Sequence, residues 1–115
     1  MKDHVHENKI ALSTTSGYDL IKIEELIYCK ADDNYTHFYV QGDKHYLVSK
    51  LLKEYEQMLA SYNFFRIHKS FLVNIDHIVK VKKADGVSVL MSNATELPVS
   101  ARKKERFISR IRNWV

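Results

Sequence analysis

The chain has 115 residues, 45% hydrophobic and 28% charged, which fits one globular domain with its own core and excludes a disordered or two-domain chain. No apolar run is long enough to span a bilayer, the first nine residues lack the apolar centre of a signal peptide, and a single Cys29 forms no internal disulfide, so the expected compartment is the reducing cytoplasm. The net charge of +4 is uneven: Arg102, Lys103, Lys104, Arg106, Arg110 and Arg112 stand against Glu105 alone in the last fifteen residues, which leaves the first hundred at −1 and favours a polyanion-binding surface near the C-terminus.

Met1 to Lys9 is polar and aperiodic and reads as a linker or tail, leaving residues 10–115 as the domain. From Ile10 the pattern is β. Ile10 and Leu12 alternate with polar neighbours, Tyr18 to Ile23 follows a turn at Ser16-Gly17, and Leu26 to Lys30 is a third short strand. Asp32-Asp33-Asn34 breaks the run. Tyr35 to Val40 then sets Thr36, Phe38 and Val40 on one face and Tyr35, His37 and Tyr39 on the other. Gly42-Asp43 turns the chain back through His45 to Val48.

The period changes at Ser49, a candidate N-cap. Leu51, Leu52, Tyr55, Met58, Leu59 and Tyr62 repeat at helical spacing up to Asn63, which predicts an amphipathic helix of about three turns. Next comes Phe64 to Asn74, apolar at both ends with the cationic centre Arg66-Ile67-His68-Lys69-Ser70. Two buried strands joined by an exposed turn read this way, and Asn74 suits an Asx turn. Ile78 to Lys82, the hairpin signal Asp85-Gly86, and Val87 to Met91 make another hairpin, and Thr95 to Val99 returns once more. Pro98 places that last strand at an edge. Ser100 caps a second helix, with Phe107, Ile108, Ile111, Trp114 and Val115 as its apolar stripe. Many short strands and two helices make a mainly β fold and exclude repeated βαβ units.

Phe65-Arg66-Ile67-His68-Lys69-Ser70-Phe71-Leu72-Val73-Asn74 resembles the central motif of LytTR-type DNA-binding domains, the output domains of bacterial response regulators. Ile27 to Ala31 leading to Asn34-Tyr35-Thr36, Leu52-Lys53-Glu54, and Leu97-Pro98-Val99-Ser100 before a basic run fall where that family has them, so the likeness covers about residues 10–112. It implies an elongated stack of small antiparallel β-sheets with two short helices. It also implies sequence-specific binding of double-stranded DNA at direct-repeat promoter sites, often as a homodimer, in a two-component system that regulates transcription. A receiver domain of about 100 residues does not fit before Ile10, so the chain reads as an output domain alone or a small free-standing regulator.

The resemblance puts an Arg at the position of Arg102 on base edges, a side chain near Thr36 or His37 in the major groove, and Lys69 at the minor groove or backbone. The expected DNA-binding set is therefore Asn34, Tyr35, Thr36, His37, His68, Lys69, Ser70, Arg102, Lys103 and Lys104. Each has a plainer alternative. Cations in the first helical turn oppose the macrodipole, which solvent screening tolerates and a bound phosphate would reverse. His37 could line a strand face, and Asp32 and Asp33 would repel phosphates unless turned away. Arg66 is expected to be structural, bonding backbone carbonyls or a carboxylate such as Glu96, and Asn74 to be a turn residue. The six histidines have no ligand framework around them, Cys29 reads as a core residue, and no phosphate loop or acid–base pair stands out, so neither metal, cofactor nor enzyme activity is expected. Two other classes stay open: a protein-interaction module using Tyr35, Tyr39 and Tyr62, or a single-stranded nucleic-acid binder stacking bases on them.

Overall fold

The computed structural model describes residues 5, 6 and 8–113. Its centre is a five-stranded antiparallel sheet built from β4 (Leu26–Asp32), β5 (Tyr35–Val40), β6 (Lys44–Val48), β7 (Phe64–His68) and β8 (Phe71–Asn74), in the order β6-β5-β4-β8-β7. Both faces of this sheet are covered, which explains why β4 reads as the unbroken apolar run Leu26-Ile27-Tyr28-Cys29 rather than as alternation. On one face, Leu26, Cys29, Phe38, Val40 and Leu72 pack against a small sheet of β1 (Val5–His6), β2 (Lys9–Thr14) and β3 (Gly17–Lys22), closed by the helix α1 (Leu52–Met58). On the other, Ile27, Tyr28, Ile67 and Val73 meet a third sheet and the helix α2 (Lys104–Arg112). That sheet holds β9 (Ile78–Lys82), β10 (Val87–Met91) and β11 (Glu96–Val99), ordered β11-β10-β9. Three stacked layers make an elongated body of 44 × 25 × 24 Å, the mainly β stack that the resemblance implied.

The hairpin signals hold. Gly42 and Asp43 both have positive φ, as do Asp85 and Gly86, but the pairs Val40–Lys44 and Lys82–Ser88 leave three and five residues in the connections rather than two. Pro98 lies on the edge strand β11. The Asn74 side chain accepts from the Asp76 N–H at 3.0 Å, the expected Asx turn, and its amide also donates to the Leu26 carbonyl at 2.9 Å. His77 bridges the layers in a similar way. The Glu24 carbonyl can only accept, so in the neutral ring Nε2 carries the proton and Nδ1 accepts from Ser92.

Three boundaries differ from expectation. Val5–His6 pairs with β2, in the segment that reads as a tail. α1 is two turns long, and Ser49 does not cap it. Leu51 takes that place with no side-chain acceptor of its own, and the Glu54 carboxylate covers the Leu51 N–H at 3.2 Å. The apolar period continues through buried Leu59, but in tight turns rather than α-helix, because Asn63 must reach β8 to accept from the Ile75 N–H. α2 starts at Lys104 rather than at Ser100, whose N–H is tied to the Ile67 carbonyl of β7, so residues 101–103 form turns. Phe107 is the buried anchor of α2, with Ile108 and Ile111 half-buried beside it, while Trp114 and Val115 lie outside the described residues.

Asn74→Ala removes a buried donor from the Leu26 carbonyl as well as the turn bond. It should lower unfolding free energy by about 2–4 kcal/mol at an unchanged denaturant m-value, and a loss below about 0.5 kcal/mol would show that the two hydrogen bonds are dispensable.

Candidate nucleic-acid interface

Strand register decides which turns meet. Asp32 pairs with Tyr35 and Thr36 with Val48, so the β4–β5 turn and the β6–α1 connection share one end of the central sheet. Lys30 pairs with Phe71, and the Ala31 N–H donates to the Ser70 carbonyl at 2.9 Å, which sets the β7–β8 turn beside them. The Ser100 N–H donates to the Ile67 carbonyl at 2.8 Å, bringing the start of α2 to the same end. Val87 pairs with Val99, so the β9–β10 turn joins the group. The Gly42-Asp43 turn lies at the opposite end.

The β4–β5 turn corrects the sequence reading. Thr36 is 0% exposed, and its hydroxyl donates to the Lys50 carbonyl at 2.7 Å, so it cannot reach a base. The reason was already in the alternation of β5, which puts Thr36 on the core face with Phe38. His37 is also occupied. Its Nε2 meets the Asp32 carboxylate at 2.9 Å and its Nδ1 meets His45 Nε2 at 2.7 Å, with only 19% of its side chain exposed. Burial, and then the charge of His37, hold the His45 pKa below its ordinary value. The Asp32 carboxylate is paired with His37 but stays 63% exposed, so both doubtful carboxylates remain at the surface. Asn34 and Tyr35 remain exposed at the tip, next to Asp33 in the left-handed region at φ 56°.

In the β7–β8 turn, His68 is half-buried against Phe71, and its Nδ1 accepts from the Ser70 N–H at 3.0 Å. His68 Nδ1 therefore helps to shape the turn, and Ser70 has its main chain committed on both sides. Arg66 is structural, as expected, but its carboxylate is Glu56 at 2.9 Å, since Glu96 is held by Lys82 and Ser88. Lys69 projects its exposed side chain from the tip, while its carbonyl accepts from Arg66.

At the third segment, Arg102 and Lys103 occupy the turn before α2, and Lys104, Glu105 and Arg106 stand in its first helical turn. The macrodipole conflict expected for Arg102, Lys103 and Lys104 thus falls on Lys104 and on Arg106, with a favourable Glu105 between them. Arg102 and Lys104 are exposed and Lys103 half-buried, none with a recorded partner. The sequence reading missed Lys83, which sits exposed on the β9–β10 turn and lines a cleft of about 560 Å³ with Lys104 and Arg112. Counting strand directions from Asp85-Gly86 would have placed it at the same end. Four connections thus bring Asn34, Tyr35, Lys69, Lys83, Arg102, Lys103 and Lys104 together, an arrangement suited to an extended polyanion.

The profile of the LytTr DNA-binding domain matches residues 16–112. The sensory transduction protein LytT of Bacillus subtilis is 27% identical over 99 residues, which cover 84% of this chain and 41% of that protein. A response regulatory protein of Vibrio cholerae is 36% identical over 92 residues, covering 76% and 35%. The heme-containing CO-sensing transcriptional regulator RcoM 2 of Paraburkholderia xenovorans is 32% identical over 95 residues, covering 80% and 35%. The chain thus spans 41% or less of the length of these relatives. Its fold matches the LytTr DNA-binding domain of a Bacillus cereus methyl-accepting/DNA response regulator with a TM-score of 0.76 at 24% identity, over 91% of this chain and 96% of the other. From β3 to the end of α2, in sequence as in fold, the chain belongs to the LytTr DNA-binding domain family, whose members bind DNA and serve transcription regulation.

Proposed function

We propose that this domain, residues 10–115, binds double-stranded DNA sequence-specifically in the cytoplasm and regulates transcription as the output domain of a two-component response regulator. One observation carries the reading: the exposed, unpartnered cations and polar tips lie on turns at one end of the three stacked sheets. A long axis of 44 Å is enough to reach two successive major grooves, about 34 Å apart. Arg102 is the base reader of one groove, since guanidinium can pair with both guanine acceptors, and Asn34 takes the place of Thr36 and His37 in the other, since its amide can pair with adenine. Lys69 lies between them. Lys103, Lys104 and Lys83 hold phosphates, and direct-repeat half-sites would take one domain each, as a homodimer on DNA.

The single-strand alternative loses one of its platforms, because Tyr39 is already stacked on Tyr28 at 4.4 Å between ring centroids. No helix among the described residues is long and apolar enough to cross a membrane.

Selection from random duplex DNA at stated salt should return a defined motif, and enrichment of single strands instead would sink the reading. Arg102→Ala and Asn34→Ala should each weaken cognate binding by about 1–3 kcal/mol and flatten preference at one base position. Equal losses on cognate and random duplex would remove the reader role. Lys103→Ala should weaken all duplexes alike and lower the salt slope by about one. Thr36→Val should cost about 0.5–1.5 kcal/mol of stability, through the lost hydrogen bond to the Lys50 carbonyl, with base preference untouched.

A further inference from the structure

We infer that Arg66 is a positioning residue, which with Glu56 orients the β7–β8 turn so that Lys69 alone faces DNA; the inference rests on the duplex-binding reading above. The Arg66 guanidinium donates in three directions. Nε reaches the His68 carbonyl at 3.3 Å, one terminal nitrogen reaches the Lys69 carbonyl, and the other meets the Glu56 carboxylate on α1 at 2.9 Å. Its side chain is only 20% exposed.

The chemistry of the tip explains why this matters. Carbonyl oxygens carry partial negative charge and would repel phosphate if they faced outward. Arg66 draws two successive carbonyls inward over a cation, and the His68 ring takes up the Ser70 N–H at 3.0 Å. What remains to project is the Lys69 ammonium. Glu56 completes the clamp from another element and fixes the guanidinium plane, so the turn is held from α1 as well as from its own strands. Only a planar fork serves all three acceptors together, which a lysine ammonium on a flexible stem does not. The Arg66 cation is thereby spent inside the protein.

Duplex affinity and its salt slope should be measured for R66K, K69A, E56Q and the double variant R66K/K69A. R66K keeps the charge but loses the fork. It should lose about tenfold in affinity, with a slope lower by about one, matching K69A, and the double variant should be no weaker than K69A alone. Wild-type affinity and slope in R66K, or losses that add in the double variant, would overturn the inference. Should R66K fail to fold, E56Q decides, being half-exposed on a helix surface. A loss that vanishes in the K69A background supports the clamp, and unchanged affinity removes it. Amide hydrogen exchange at Lys69 and Ser70, measured without DNA, should accelerate in R66K. That arm separates the two readings: wild-type protein that ignores duplex DNA sinks the functional reading, whereas unaltered exchange sinks the clamp.

Discussion

Two main-chain hydrogen bonds, from Ala31 N–H to the Ser70 carbonyl and from Ser100 N–H to the Ile67 carbonyl, hold three segments from distant parts of the chain in one row. Neither belongs to the regular ladder of a strand pair. Each is ordinary in strength, but each fixes the entry point of a turn, so side chains beyond it point from a defined origin. The first carries the β4–β8 register one step beyond Lys30–Phe71 and ties the β4–β5 and β7–β8 turns together at their bases. Without the second, α2 would leave β11 at an undetermined angle and Arg102 would have no set place relative to Lys69.

Those bonds act because the sheet behind them is stiff. The central sheet is buried on both sides, with Phe38 and Leu72 on one face and Ile67 and Val73 on the other, all at most 1% exposed. Close-packed interiors transmit displacement rather than absorb it. The buried side chains of Asn74 and His77 add cross-links between layers, each satisfying both of its polar ends. Loops displayed by such a frame can be short and still be well positioned.

Charge placement follows the same logic. The surface end carries cations, yet several charged groups there are consumed internally: Asp32 by His37, and Arg66 by Glu56 and two carbonyls. Such pairings decide which residues are left to meet a phosphate, and they matter more than the net charge of +4. A residue type suited to nucleic acid is a contact only when no neighbour has already taken its donors.

Strand positions, hairpin turns and edge placement were legible from local pattern, because alternation, positive-φ turn residues such as Gly42-Asp43 and Asp85-Gly86, and Pro98 act within a few residues of themselves. The family was legible from ordered motifs. Helix ends were not, since Asn63 and Ser100 answer to strands far along the chain, which shortens α1 and delays α2. Nor could the chain alone name Glu56 as the carboxylate that Arg66 meets, or separate Asn34 from Thr36 and His37. The sequence by itself determined a small mainly β domain with cations at its turns. Only the tertiary structure decided which of those polar side chains remain free, because that depends on partners such as Lys50, His45 and Glu56, brought into reach by sheet register and helix packing.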